Sequence, residues 1–277
     1  MADSGKDKKN LKYGKKKRGR RKRRRPAEAV LMFIFAGIFV FSAVQLLLIF
    51  GEYKQGSSEY EKLAEEYVQF EEKKTSDAGE QAGDFPAVGI DFDALESVNG
   101  DFRAWLEVPV LSLGYPVVQG KDDSYYLTHT FEKKENSSGA IFMNKGAADD
   151  FSDWNTFLYG HNMKNGSMFG RLKQLIRDGS LCDSDPYFYL FTKEAAYRYR
   201  IAAFYVTEDG SDAYMLPESA EQAEKYLEKA MAASLYRCRE VLSEDAPVVT
   251  LSTCYGKAGG TQRFVVHGVQ DKVKEYS

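Results

Sequence analysis

Three patterns of apolar and polar positions divide the chain. Residues 29–50, "AVLMFIFAGIFVFSAVQLLLIF", carry no charge, and Ser42 and Gln45 are the only polar side chains. At about 1.5 Å per residue this run reaches ~33 Å, enough to cross a hydrocarbon core as one helix. A cleaved signal peptide has a shorter apolar region and a small-residue cleavage site. Here the run ends in Phe50-Gly51-Glu52-Tyr53, so an uncleaved anchor is expected over 29–50. Residues 51–84 are polar. A helix is expected over 58–74, where Leu63, Tyr67 and Phe70 make one weak stripe, followed by a linker, "TSDAGEQAGD". Together they predict a stalk outside the membrane.

From Phe85 the pattern turns to short β-type runs bounded by Gly, Pro and Asn. They are "AWLEVPV", "YPVVQG", "SGAIFMN", "NTFLYGH", "YFYLFT", "AYRYRIAAFYVT", "PVVTLSTC" and "QRFVVHGVQ". Eight such runs with few helices between them predict a mainly β fold over 85–277, an eight-stranded closed or nearly closed β-barrel. Three helices are expected beside it. "DFDALESVNGD" (91–101) is short and stops at Asn99-Gly100. Residues 166–178 put Met168, Leu172, Leu175 and Ile176 on one face. Residues 218–237, inserted between two strands, put Ala223, Tyr226, Leu227, Ala230 and Leu235 on one side.

Charge sharpens the division. The net charge of −3 hides a segregation: residues 1–25 hold fourteen Lys/Arg against two Asp, leaving 24 basic and 39 acidic groups in the remainder. A basic block abutting an apolar span orients it, so 1–28 is expected in the cytoplasm and the rest outside. The same block could bind nucleic acid, but beside a span it reads as a topology signal and a contact for anionic lipid, and no nucleic-acid partner is expected. Three cysteines are too few for a disulfide framework, and Cys182 and Cys238 read as scattered buried thiols.

Motifs then narrow the chemistry. There is no H-E-x-x-H, paired C-x-x-C, G-x-G-x-x-G or Walker sequence, so neither metal nor cofactor is expected. "AADDFSD" reads as a solvated turn. His129 and His267 read as structural, and Gly268 after His267 suggests a bulge or close packing. His161 differs, because "FLYGHNM" delivers it at a strand end before a polar loop. Cys254 also ends a strand, and Arg263 opens the next. If "YGKAGGT" is the turn between them, the strands are antiparallel neighbours and Arg263 stands near Cys254. A thiolate nucleophile, an imidazole and a permanent cation together suit acyl transfer. A buried Cys and a solvated Arg would give the same spacing.

With these residues in view the chain resembles the sortases, membrane-anchored cysteine transpeptidases of Gram-positive bacteria. "TLSTC" is similar to their T-L-x-T-C motif, Arg263 matches the arginine of the following strand, and His161 in "YGHN" matches their histidine. Over about 88–272 the chain most resembles class B: "IDFDALESVNGDFRAWLEVP", "YPVVQGKDDSYYL", "GAIFMN" and "FSDWNTFLYGHNMKNGSMFGRL" are similar to that class's blocks, and helix 218–237 sits where class B has its long insertion. Asn144 departs from an Asp common in the family, and the basic tail is unusually long.

The resemblance implies that Cys254 attacks the carbonyl after the Thr of a C-terminal sorting signal, making a thioacyl enzyme. His161 would serve as acid and base, and Arg263 would steady the oxyanion. Tyr159, Ser252 and Thr253 would line the peptide groove, or else be satisfied strand-end groups. The implied partners are surface proteins bearing the signal, a peptidoglycan precursor or cross-bridge amine, and the membrane through 29–50. The alternatives are a non-catalytic surface binding module and a pilin-polymerising sortase. An L,D-type cysteine transpeptidase expects His and Cys in one short block, whereas His161 and Cys254 are far apart in sequence.

Overall fold

The computed structural model describes residues 26–70, 85–238, 246–257 and 259–276. The basic tail over 1–25 and the linker over 75–84 lie outside the described residues. The chain divides into two compact units after Leu48.

The helix α1 (Pro26–Tyr67) starts in the first unit, which holds most of the uncharged run, and ends in the second. Its large side chains from Val30 to Leu48 are exposed, as suits a helix solvated by lipid rather than by protein. By length and composition it can cross a membrane.

The second unit contains the eight predicted strands and more. β1 (Val68–Phe70) pairs antiparallel with β2 (Val88–Ile90), and α2 (Phe92–Val98) follows. Asp91 caps α2 by accepting from the Ala94 amide at 3.0 Å, and Asn99 ends it. The barrel strands are β3 (Phe102–Val108), β4 (Leu113–Val118), β5 (Ile141–Met143), β6 (Asn155–Tyr159), β7 (Tyr187–Phe191), β8 (Ala195–Glu208), β9 (Val248–Cys254) and β10 (Gln262–Glu275). They close in the order β10-β8-β7-β3-β4-β5-β6-β9. The pairs β4/β5 and β6/β9 are parallel, and the others are antiparallel.

Trp105, Phe157, Phe188, Tyr199, Phe204 and Phe264 are among the largest fully buried side chains. β9 is buried along its whole length up to Cys254. Alternation explains how. Val249 and Leu251 join the main core, while Val248 on the other face packs with Ala202, Val269 and Leu227 of α5 (Ala220–Ala233). The inserted helix therefore covers the outer face of β8, β9 and β10.

His267 is buried beneath that helix. Its Nδ1 lies 2.9 Å from the Thr250 hydroxyl and 3.2 Å from Tyr226 of α5, and burial pushes its pKa down to about 3. This is a neutral structural histidine, as the sequence suggested. Gly268 both marks a bulge and allows close packing: β10 shifts register between His267 and Gly268, and an added Cβ would collide with the Phe188 ring. His129 stacks on Tyr125 at 4.0 Å. Asn144 extends the β5–β6 ladder, its side-chain oxygen accepting from the Phe157 amide at 2.9 Å. That needs only an acceptor, which Asp would also supply.

Four expectations change. Residues 51–70 are not a stalk standing clear of the domain: Tyr60, Leu63 and Val68 are buried in the barrel unit's main core, so the folded unit begins well before Phe85. The helix expected over 58–74 stops at Tyr67, where backbone pairing with β2 takes over. Over 166–178 the chain forms a 3₁₀ turn (Phe169–Lys173) and one α turn, α3 (Gln174–Arg177), although Met168, Leu172 and Leu175 are buried as expected. Leu235 lies past the end of α5 and is exposed.

Glu107 is a buried carboxyl on β3. Desolvation pushes its pKa up to about 7, and the long 3.4 Å bond from Trp105 Nε1 only partly opposes this. A folded-state pKa above the unfolded value means stability is lost as pH rises from about 4.5 through about 7. Glu107→Gln should therefore leave urea-unfolding stability unchanged at pH 4 and raise it by about 3 kcal/mol at pH 8, the energy of the removed shift. An equal change at both pH values would contradict the desolvation account.

Candidate active site

Three neighbouring strands each deliver one side chain to the same rim. β9 runs buried from Val248 to Thr253 and emerges at Cys254, which is exposed. β10 pairs antiparallel with it, and Arg263 is the direct partner of Cys254. Directly opposed residues share a face, with Cβ atoms about 4.5–5.5 Å apart. On the other side β6 runs parallel, with Tyr159 opposite Ser252 and the Gly160 amide donating to Ser252 O at 3.2 Å. Two residues further on, past the end of β6, the chain brings His161 to the cleft that Cys254 lines. A cleft of about 210 Å³ is lined by Tyr159, His161, Ser252, Thr253, Cys254 and Arg263, together with Asp123, Leu127 and Asp209.

The loop after β6 is fastened to the end of β9. Asn162 donates from Nδ2 to the Cys254 carbonyl at 2.7 Å. His161 is fixed from behind: its Nε2 lies 2.7 Å from the Leu127 carbonyl. A carbonyl can only accept, so Nε2 carries hydrogen, and in the neutral ring Nδ1 holds the lone pair.

Arg263 is oriented by its own hairpin. Nη1 donates to the Gly260 and Gln262 carbonyls at 2.9 and 3.1 Å, and Nη2 donates to Asp209 Oδ2 at 2.8 Å. Asp209 is largely exposed, so water screens this pair, and a guanidinium has further N–H groups to offer.

The groove candidates are built into the wall. Thr253 donates from Oγ1 to the Gly160 carbonyl at 2.7 Å, and the Ser252 and Tyr214 hydroxyls are 2.7 Å apart. Both β9 residues are buried, so these hydroxyls satisfy one another and their neighbours. Tyr159 packs on Phe142 with ring centroids 5.3 Å apart, and burial raises its phenol well above the usual range.

The structure thus brings all six predicted residues to one cleft. Sequence reasoning missed Asp209, the side-chain role of Asn162 and the Leu127 carbonyl. Asp209 sits in "TEDGSD", which resembles any solvated turn, and a backbone acceptor leaves no residue-type signal at all.

The sortase-domain family matches residues 106–271, a stretch that contains β6, β9 and most of β10, with His161, Cys254 and Arg263. The chain belongs to the sortase family. It is 33% identical to sortase B of Listeria monocytogenes over 164 residues, 58% of this chain and 65% of that protein, just under two thirds of its length. It is 26% identical to sortase B of Staphylococcus aureus over 239 residues, 86% of this chain and 92% of that one. The crystal structure of B. anthracis sortase B in complex with AAEK1 superposes with a TM-score of 0.65 at 28% identity, covering 80% of this chain and 99% of that one. These likenesses are to class B sortases, in agreement with the resemblance read from the motifs.

In this sortase the other two thiols are free and lie near each other: interaction with Cys238 together with burial holds the Cys182 thiol well above the ordinary thiol range. Brief treatment of the native full chain with a maleimide should label Cys254, at least about a hundredfold faster than Cys182, since only an accessible thiolate reacts. Peptide mass spectrometry reads the ratio, and comparable labelling of Cys182 would show that β9 does not present Cys254 as described.

Proposed function

We propose that the chain is a membrane-anchored cysteine transpeptidase that cleaves a C-terminal sorting signal after Thr and joins the surface protein to a peptidoglycan amine. The observation that carries this reading is the meeting in one cleft of His161, just past the end of β6, with Cys254 and Arg263, directly paired on β9 and β10.

Each group has a task that its surroundings suit. The Cys254 thiol gives its proton to the His161 Nδ1 lone pair, and the thiolate attacks the carbonyl carbon after Thr. The oxygen gains negative charge, and the Arg263 guanidinium, held on the same face as Cys254, donates to it. The carbon–nitrogen bond then breaks. His161 Nδ1 gives its proton to the departing amine, leaving a thioacyl enzyme, while Nε2–H stays on Leu127 O and holds the ring in place. An incoming amine attacks the thioester, Nδ1 takes its proton and the thiolate leaves. The acceptor belongs to a peptidoglycan stem or cross-bridge, and both substrates meet at the membrane surface. Residues 29–50 anchor the enzyme there, with the N-terminus in the cytoplasm and the domain outside, which raises the effective concentration of both substrates.

The test uses the full chain in detergent with short N-P-x-T-x and x-P-x-T-G peptide libraries, followed by mass spectrometry of cleavage and of amine adducts. Cys254→Ala should abolish turnover. His161→Ala should lower it about 10²–10⁴-fold and Arg263→Ala about 10²–10³-fold. Undiminished cleavage by Cys254→Ala would sink the enzyme reading, and peptide binding without cleavage by the wild-type chain would favour a binding module.

A further inference from the structure

The part of α1 that packs on the barrel, Glu52–Tyr67, is fastened to one segment, residues 126–139. The Glu52 carboxylate accepts from the Ser137 amide at 2.7 Å, and its backbone carbonyl accepts from Asn136 Nδ2 at 3.1 Å. The Glu59 carboxylate accepts from the Glu132 amide at 3.1 Å. Tyr60 is buried, and its hydroxyl accepts from the Phe131 amide at 3.1 Å and donates to the Gly139 carbonyl at 2.6 Å. The approach is close: a Cβ added to Gly56 would collide with Ser138 Oγ and lie 2.9 Å from Asn136 Oδ1.

The same segment holds His161. Its Leu127 carbonyl accepts from Nε2, and Gly139 closes on the ring from beside it. Gly139 has φ +57°, and a Cβ there would sit 3.1 Å from His161 Cδ2 and 3.0 Å from Leu127 O. The Gly139 carbonyl bonded by Tyr60 thus belongs to the residue packed against the imidazole. A second contact runs to the loop beyond His161, where Asn165 Nδ2 donates to Ser57 Oγ at 3.0 Å.

We infer that the membrane-proximal helix is a positioning element for His161, with Tyr60 and Glu52 holding residues 126–139 in the arrangement that places the Leu127 carbonyl on Nε2. A carbonyl that moves by an ångström no longer fixes the tautomer or the ring plane, and proton transfer is sensitive to both. The inference rests on the proposed role of His161 for its effect on turnover, but not for its effect on the ring.

The experiment uses the full chain in detergent, labelled with ¹⁵N-histidine, and compares wild type with Tyr60→Phe, Glu52→Ala and Glu52→Gln. Tyr60→Phe keeps the buried ring and removes both hydroxyl bonds. Glu52→Gln keeps an acceptor for the Ser137 amide, and Glu52→Ala does not. The imidazole is observed by NMR titration, and cleavage of the best library peptide is measured well below each variant's melting temperature. The charged groups sharing its cleft, Asp123, Asp209, Cys254 and Arg263, are unchanged in every variant. Tyr60→Phe and Glu52→Ala should shift the His161 Nε2 resonance and its titration, and lower kcat about tenfold with KM within about twofold. Glu52→Gln should restore both. Variants that melt earlier but keep the wild-type His161 resonances and kcat would overturn the inference and leave the helix a purely structural brace. If no library peptide is cleaved by wild type, the proposed function fails, while the imidazole titration still decides the coupling.

Discussion

Everything at the rim depends on the register of three strands. β9 lies between β6 and β10, parallel to one and antiparallel to the other, and its pairing fixes which residues stand level with Cys254. A slip of one residue in a strand turns every side chain to the opposite face. Here it would send Cys254 and Arg263 to opposite faces of the sheet. The register is held because both faces of β9 are buried, one in the barrel and one under α5, so no slipped arrangement satisfies both. The inserted helix thereby contributes to the site without lining it.

Polar bonds reinforce that register from the outer face. Thr250, Asn155, Tyr226 and His267 link β9, β6, α5 and β10 in one buried network, with Thr250 Oγ1 donating to Asn155 Oδ1 at 2.8 Å and Asn155 Nδ2 donating to the Tyr226 hydroxyl at 2.9 Å. A mispaired strand would strand several of these groups without partners, at a cost of about 1–3 kcal/mol each. The network therefore penalises wrong registers more than it adds net stability to the right one.

All eight barrel strands were legible because each is a short apolar run between turn residues, a local signal. The approach of Arg263 to Cys254 was legible for the same reason, since a short Gly-rich turn leaves adjacent strands little choice. What was hidden is non-local. Tyr60 and Leu63 lie in a polar stretch whose apolar stripe is too sparse to announce burial, and their partners are far away in sequence. The neighbouring of Cys182 and Cys238 depends on how the chain after α5 returns to the short helix α4 (Leu181–Ser184), which no spacing encodes. Leu127 acts through its backbone, so its side chain carries no trace of the role.

That backbone partner matters for the proposed chemistry. In hydrolases with a Ser-His-Asp triad, a carboxylate orients the imidazole and also stabilises its charged form. The Leu127 carbonyl fixes orientation and tautomer through a dipole, so it favours imidazolium less than a full negative charge would. A histidine that must give a proton to one amine and take one from another gains from that restraint, because over-stabilised imidazolium is a poor acid. In that scheme the counter-charge for an imidazolium comes from the groups sharing its cleft, the Cys254 thiolate with Asp123 and Asp209. Proton position and nucleophile ionisation become linked across the cleft, and the segment that carries Leu127 becomes the natural place to adjust both.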